Sequence, residues 1–296
     1  LAIIPARDKP AAQEFAPRLR GWIEQHGRRA ITEEAIRDGH SADALIVLGG
    51  DGLMMNMAHT FPGVPIIGIN FGTVGFLAMV EQSDWEPLLR AILAGDYVLR
   101  EDPTVAFSLL RQGEPAVSGW AINDVVVRSG TRMIDVELYI DRQYVNTYPG
   151  DGMIVASPQG STAYCMAAGG PILTAGVRGF ALTPISPHSP IRAAFVVPEE
   201  SLIELVVPNR REAFLIVDGG IVGELGPDDI VAVTRGEIRF KMIVVEGMNF
   251  YNAFRSKFNY LIRPHAKPSL GTSRRAGQLQ GTSQTPADVG ASVELQ

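Results

Sequence analysis

The period of the apolar positions changes repeatedly along the first hundred residues. Residues 1–5 form a short continuous apolar run, as expected of a buried strand. Over residues 10–26, Phe15, Leu19, Trp22 and Ile23 recur at helical spacing. Residues 44–48 (ALIVL) are β-rich and run into glycine. The pattern then predicts a helix over 53–59, a strand over 64–69, and a helix over 85–93 closed by Gly95. Strands alternating with helices through tight glycine turns imply a parallel sheet covered by helices.

Beyond about residue 100 the helical period gives way to short β-rich runs, at 105–110, 124–128, 136–140, 153–157, 194–198, 202–208, 213–218, 230–234 and 238–246. Turn residues separate them, so an antiparallel sandwich or a similar all-β domain is expected. Residues 160–168 break this run as a candidate helix, and the aromatic-rich stretch 249–261 is roughly helical. The fold expected is therefore α/β plus all-β. A Rossmann-like nucleotide domain is expected over 1–100 and a mainly β, sandwich-like domain over 101–262, with its last helical segment packing back. Residues 265–296 are dominated by Ser, Thr, Gly, Gln and Ala. They offer too little burial to offset their ordering entropy, and a disordered tail is expected there.

Composition narrows the function classes. With 26 basic and 32 acidic side chains the formal net charge is −6. No global basic field favours nucleic acid or an anionic membrane, and neither partner is expected. One cysteine, Cys165, excludes an internal disulfide framework and a multi-cysteine zinc site. No apolar run reaches membrane-spanning length, and the stretch LAIIPA is too short for a secretory leader. A cytoplasmic protein is the expectation.

Four constellations carry chemistry. Gly49-Gly50-Asp51-Gly52 stands between a buried strand and a helix. Glycines there let the backbone approach a ligand, and the helix start favours an anion. Asp51 reads either as a helix cap or as a carboxylate serving a proton or a magnesium ion. A second loop, residues 68–77, holds Asn70, Gly72, Gly75 and Phe76 at the end of another strand; Phe76 suits either a base-stacking face or the core. Two glycine-rich loops on one sheet edge point to a nucleotide crevice. Asn123-Asp124, entering a strand, is an Asx turn or a pair that bonds ribose hydroxyls. The fourth is residues 150–164, in which Gly150-Asp151-Gly152 leads through Ser157-Pro158-Gln159-Gly160 to Ser161, Thr162, Ala163 and Tyr164. Its hydroxyls, backbone N–H groups and flat ring suit a purine or phosphate, or simply an N-capped helix.

In this order, and with the run 181–187 (ALTPISP), these segments resemble the NAD kinase family across residues 1–262. GGDG alone is weak; GGDG followed at this distance by G-S-T-A-Y is specific. The resemblance implies an α/β and a β domain with the dinucleotide between them. It implies transfer of the γ-phosphoryl of ATP, or of polyphosphate, to the 2′-hydroxyl of the adenosine ribose of NAD, giving NADP. Magnesium or another divalent cation is expected, as is a homodimer or homotetramer. It assigns Asp51 as general base, with Gly50 and Gly52 shaping the phosphate side. Phe76, Asn123, Asp151, Thr162, Ala163 and Tyr164 would line the dinucleotide pocket, and Asp124 stands where the family commonly has Glu.

The chain departs from the family pattern at three places. Gln159 replaces a small hydroxyl residue, although its amide can still bond the ligand. Ala167 stands where many members have Ser, and Met79 where an acidic or polar residue is frequent. Two other functions compete: a lipid or sugar kinase sharing only the GGDG turn, and a catalytically silent NAD-binding sensor. The Gly-Ser-Thr-Ala-Tyr loop argues against the first and Asp51 against the second. Asp218-Gly219-Gly220 resembles a later aspartate–glycine turn of the family, and a hairpin turn explains it equally.

Overall fold

The computed structural model describes residues 1–72, 75–174, 176–188, 190, 192–208, 211–248, 251 and 253–254. The stretch 249–261 and the tail 265–296 lie almost wholly outside these residues.

The amino-terminal part runs β1 (Ala2–Pro5), α1 (Pro10–Gln25), β2 (Ile31–Thr32), α2 (Glu33–Arg37), β3 (Leu45–Gly49), α3 (Asp51–Thr60), β4 (Ile66–Asn70), β5 (Val80–Glu81), α4 (Trp85–Ala94) and β6 (Val98–Asp102). Strands β2, β1, β3 and β4 lie side by side and parallel. In β3 successive side chains go to opposite faces. Ile46 and Leu48 join Phe15, Leu19 and Ile23 of α1 and Trp85, Leu88 and Leu89 of α4. Leu45 and Val47 join Met54 and Met57 of α3. Burial on both faces explains why β3 is an unbroken apolar run. Gly95 caps α4 in the left-handed conformation.

The remainder is almost entirely β. Its elements are β7 (Val105–Arg111), β8 (Glu114–Ala121), β9 (Asp124–Ser129), β10 (Ile134–Ile140), β11 (Gln143–Gly150), β12 (Gly152–Ala156), α5 (Tyr164–Ala167), β13 (Gly179–Ile185), β14 (Phe195–Pro198), β15 (Ile203–Val206), β16 (Ala213–Val217), β17 (Gly220–Glu224), β18 (Ile230–Arg235) and β19 (Phe240–Val244). Two six-stranded antiparallel sheets form, in the orders β11-β10-β15-β18-β7-β8 and β14-β13-β12-β9-β16-β17. Their inward residues, among them Val105, Phe107, Val127, Val155, Phe180, Leu215 and Val233, make one core. The outer face of the second sheet is covered by the loop and short helix after β12, through Cys165 and Leu173 against Val126, Ile154 and Ala181. This layer carries the Ser157–Tyr164 motif.

One expectation needs correction. The run 238–246 was grouped with the antiparallel β domain. Instead β19 returns to the first sheet, parallel to β4 and antiparallel to β6. Phe240 and Met242 enter the core under α3, and Ile243 enters the core under α1 and α4. Apolar residues that serve both faces mark a central strand, but period alone does not say of which sheet. The expected helix over 160–168 is also shorter: a 3-10 turn, Gly160–Thr162, precedes the single turn of α5.

Candidate active site

Asp51 is the first residue of α3, which follows β3 through Gly50. Its half-buried carboxylate reaches the loop after β4 and accepts three consecutive backbone N–H groups. Phe76 donates to Oδ2 at 2.8 Å; Leu77 and Ala78 donate to Oδ1 at 3.1 and 2.9 Å. Gly75 makes this approach possible, since a Cβ there would lie 1.8 Å from Asp51 Oδ1. The two glycine-rich loops are therefore joined through one carboxylate. No side chain caps α3, and a Cβ on Gly50 or Gly52 would meet nothing within 4 Å.

Lys9, at the start of α1, also reaches this edge: a Cβ on Gly72 would lie 2.9 Å from its Nζ. Asn70 is buried at the end of β4; its amide N–H donates to the Gly72 carbonyl at 2.8 Å, and its Oδ1 has no hydrogen-bond partner among the described residues.

A second carboxylate repeats the Asp51 arrangement. Asp218 Oδ2 accepts from Ile122 N at 2.7 Å, and Oδ1 accepts from Asn123 N and Asp124 N at 2.7 and 3.1 Å. His59, in the last turn of α3, lies 2.7 Å from Asp218 Oδ2 through Nε2. The carbonyls of the same segment are held by Ser157, whose hydroxyl donates to Ile122 at 2.5 Å and whose N–H donates to Asn123 at 2.8 Å. Gly160 packs directly on the peptide, since a Cβ there would fall 2.0 Å from the Asn123 carbonyl oxygen.

Asn123, Asp124, Ala163 and Tyr164 line one cleft of about 370 Å³, with Met55, Arg128 and Asp218. Arg128 lies 6.0 Å from the Tyr164 ring centroid, over its face. Asp124 is buried, and burial, reinforced by the charge of Asp218, pushes its carboxyl up to about 7. A wider cleft of about 630 Å³ adjoins it, sharing Met55 and Asp218 and lined by Gly52, Asn56, His59 and Trp120. Another cavity, of about 570 Å³ between α4 and residues 245–248, contains none of the candidate side chains.

The remaining candidates lie elsewhere. Phe76 is buried and lines a gap of about 20 Å³ with Gln159 and Thr162. Thr162 Oγ1 donates to the Gln159 carbonyl at 3.0 Å, and Ser161 Oγ bonds backbone groups of Pro158 and Leu173. Asp151 sits at the β11–β12 junction with its backbone bonded to Ile185 and Ser129, and it lines neither cleft. Ala167 is exposed on α5. His59, Lys9, Arg128 and the clamping role of Asp218 are not legible in the sequence. Their partners are remote in the chain, so no local spacing signals them.

The family model described as the ATP-NAD kinase N-terminal domain matches residues 3–97, and the C-terminal domain model matches 122–245. An NAD kinase of Thermomicrobium roseum is 56% identical over 271 residues, covering 91% of this chain and 94% of the relative. An NAD kinase of Heliobacterium modesticaldum is 36% identical, covering 84% and 95%. Among solved structures, yeast NADH kinase complexed with NADH shares the fold, with a TM-score of 0.75 at 20% identity over 88% of this chain and 87% of that one. An NAD kinase from Archaeoglobus fulgidus in complex with ATP gives 0.70 at 25% identity, over 86% and 97%. The chain belongs to the ATP-NAD kinase family.

Proposed function

We propose that this kinase transfers the γ-phosphoryl of ATP to the 2′-hydroxyl of the adenosine ribose of NAD, with Asp51 as general base. The single observation that carries the role of Asp51 is its hydrogen bonding. Three N–H groups fix the carboxylate; Oδ1 takes two of them and Oδ2 one. A carboxylate oxygen accepts two bonds, so Oδ2 keeps a lone pair for the substrate hydroxyl. The proton passes from the 2′-hydroxyl to Oδ2 as the ribose oxygen attacks the γ-phosphorus and ADP leaves. Positioning and charge stabilisation dominate such transfers, so a fixed acceptor suits the task.

Gly50 and Gly52 support the same reading. The protein around them leaves room for a side chain; a ligand approaching the uncapped start of α3 supplies a reason for glycine. Lys9 adds positive charge at this edge for the donor phosphates. Asn123, Asp124 and Tyr164 would hold the dinucleotide, with Arg128 near its pyrophosphate. Phe76, Gln159, Thr162, Ala163 and Asp151 belong to the same reading through the family pattern.

Among the described residues no three His, Cys, Asp or Glu side chains converge on a metal site. The magnesium ion expected from the family likeness would be carried in by the donor phosphates. When bound, such an ion neutralises charge on the transferred group. Polyphosphate is an alternative donor, and a homodimer or homotetramer is inferred from the family likeness alone. No helix among the described residues is long and apolar enough to cross a membrane.

The test is NADP formation from NAD, ATP and magnesium, with Asp51→Asn alongside. The variant is expected to lose about two or more orders of magnitude in kcat while still binding NAD. Near-normal turnover by Asp51→Asn would remove the base role, and a wild type that binds NAD without making NADP would remove the kinase reading.

A further inference from the structure

Asp218 begins a two-residue turn in which Val217 pairs with Gly220. Its φ is +47°, a left-handed conformation that is costly for most side chains and better tolerated by aspartate. In this conformation its carboxylate caps residues 122–124. Ile122 and Asn123 lie between β8 and β9 and belong to neither strand. Their N–H groups have Asp218 in place of a ladder partner. With His59 added, the carboxylate has four donors: Ile122 N and His59 Nε2 on Oδ2, Asn123 N and Asp124 N on Oδ1. Its lone pairs are filled. Since a carboxylate only accepts, the proton of His59 is assigned to Nε2. The His59 ring is also held by Trp120, with ring centroids 4.2 Å apart. His59 stands two turns along the helix whose first residue is Asp51.

We propose that Asp218 and His59 are positioning residues. Asp218 fixes the Asn123–Asp124 edge that receives the dinucleotide ribose, and His59 ties that edge to the helix bearing Asp51. The proposal rests on the reading of Asn123 and Asp124 as NAD contacts. One carboxylate thereby sets the peptide geometry at the acceptor, while Asp51 sets it on the opposite loop. Helix α3 bridges the two clamps, with Asp51 at its first residue and His59 in its last turn. Loss of the His59 bond frees one lone pair of Asp218 and lets its charge shift beside Asp124, whose own carboxyl is already disfavoured as an anion. The Asp218→Asn change sets an NH₂ group against backbone N–H donors.

The experiment compares Asp218→Asn, His59→Ala and His59→Gln with the wild type. NAD affinity is read by calorimetry without donor, steady-state KM and kcat with ATP, and thermal unfolding on the same samples. Asp218→Asn and His59→Ala are expected to weaken NAD binding about tenfold, the worth of one or two lost bonds, with KM for NAD moving more than kcat. His59→Gln keeps a donor toward Asp218 and is expected to restore most of the affinity. The proposal is overturned if Asp218→Asn and His59→Ala both bind NAD within about twofold of wild type. It is also overturned if His59→Gln is as weak as His59→Ala and the two lose equal thermal stability, because packing on Trp120 would then be the whole role. Calorimetry decides the positioning role even if the wild type makes no NADP, and a wild type that binds no NAD overturns both readings.

Discussion

Asp124 carries a burial cost that depends on pH. Its carboxyl is buried, and its folded pKa rises from 3.8 to about 7. Below about pH 4 it is protonated in both states and costs nothing. As pH rises from there to about 7, the unfolded chain releases the proton and the folded chain retains it. Stability therefore falls by up to about 1.4 kcal/mol per pH unit in that window and stays reduced above it. Asp124→Asn is expected to raise Tm at pH 8 and to match wild type below pH 4, while weakening NAD binding in the cleft. An equal Tm at pH 8 would show that the carboxyl carries no such burden. The motifs holding Asn123, Asp124 and Tyr164 are legible because each is contiguous in the chain, and the structure brings these three side chains to one cleft. Asp218 reads as a turn and His59 as a helix residue, because the bond that defines both joins positions 159 residues apart. No local pattern encodes that meeting.

Among the elements, legibility followed burial. The strand at Leu45–Gly49 and the helices at Pro10–Gln25 and Trp85–Ala94 bury regular apolar faces, so their periods appear in the sequence. Strand β8 is largely exposed, β11 is mostly half-buried with only Tyr148 and Gly150 buried, and β2 has two residues; none offers a clear period to read. The loop between β12 and α5 was visible as a glycine–proline–hydroxyl motif, yet its hydroxyls face inward. Ser157 is fully buried and spans from its own strand end to the segment before β9. Ser157→Ala leaves the Ile122 carbonyl without this donor and is expected to cost about 1–3 kcal/mol, read as a lower urea midpoint at unchanged m. Ser157→Thr keeps the hydroxyl, so it should recover most of that loss. If Ser157→Ala unfolds at the wild-type midpoint, the hydroxyl bridge contributes nothing.

At the scale of the whole molecule, the return of β19 to the first sheet decides how the chain folds. The α/β layer takes its strand beside β4 from residues that follow both antiparallel sheets in sequence. The sequence marks 238–246 as a β-rich run, but its place beside β4 depends on a contact between residues 66 and 242. Met242 is fully buried against the core under α3, at the only position where β19 registers with β4. Truncating it to alanine should cost about 2–5 kcal/mol. Residues 1–102 alone would leave β6 without its ladder partner and β4 paired on that side only with β5, at Ile69 and Asn70. That fragment is expected to give no cooperative thermal transition, whereas the full chain with Met242→Ala should unfold in one transition at lower Tm. Hydrogen exchange should then quicken together in Ile66–Asn70 and Val98–Asp102, the two strands that flank β19. Cooperative unfolding of the 1–102 fragment would mean that the first sheet is complete without its last strand. Failure of that fragment to fold would make the nucleotide edge carrying Asp51 conditional on the carboxyl-terminal strand, so that the two halves of the site form in a single event.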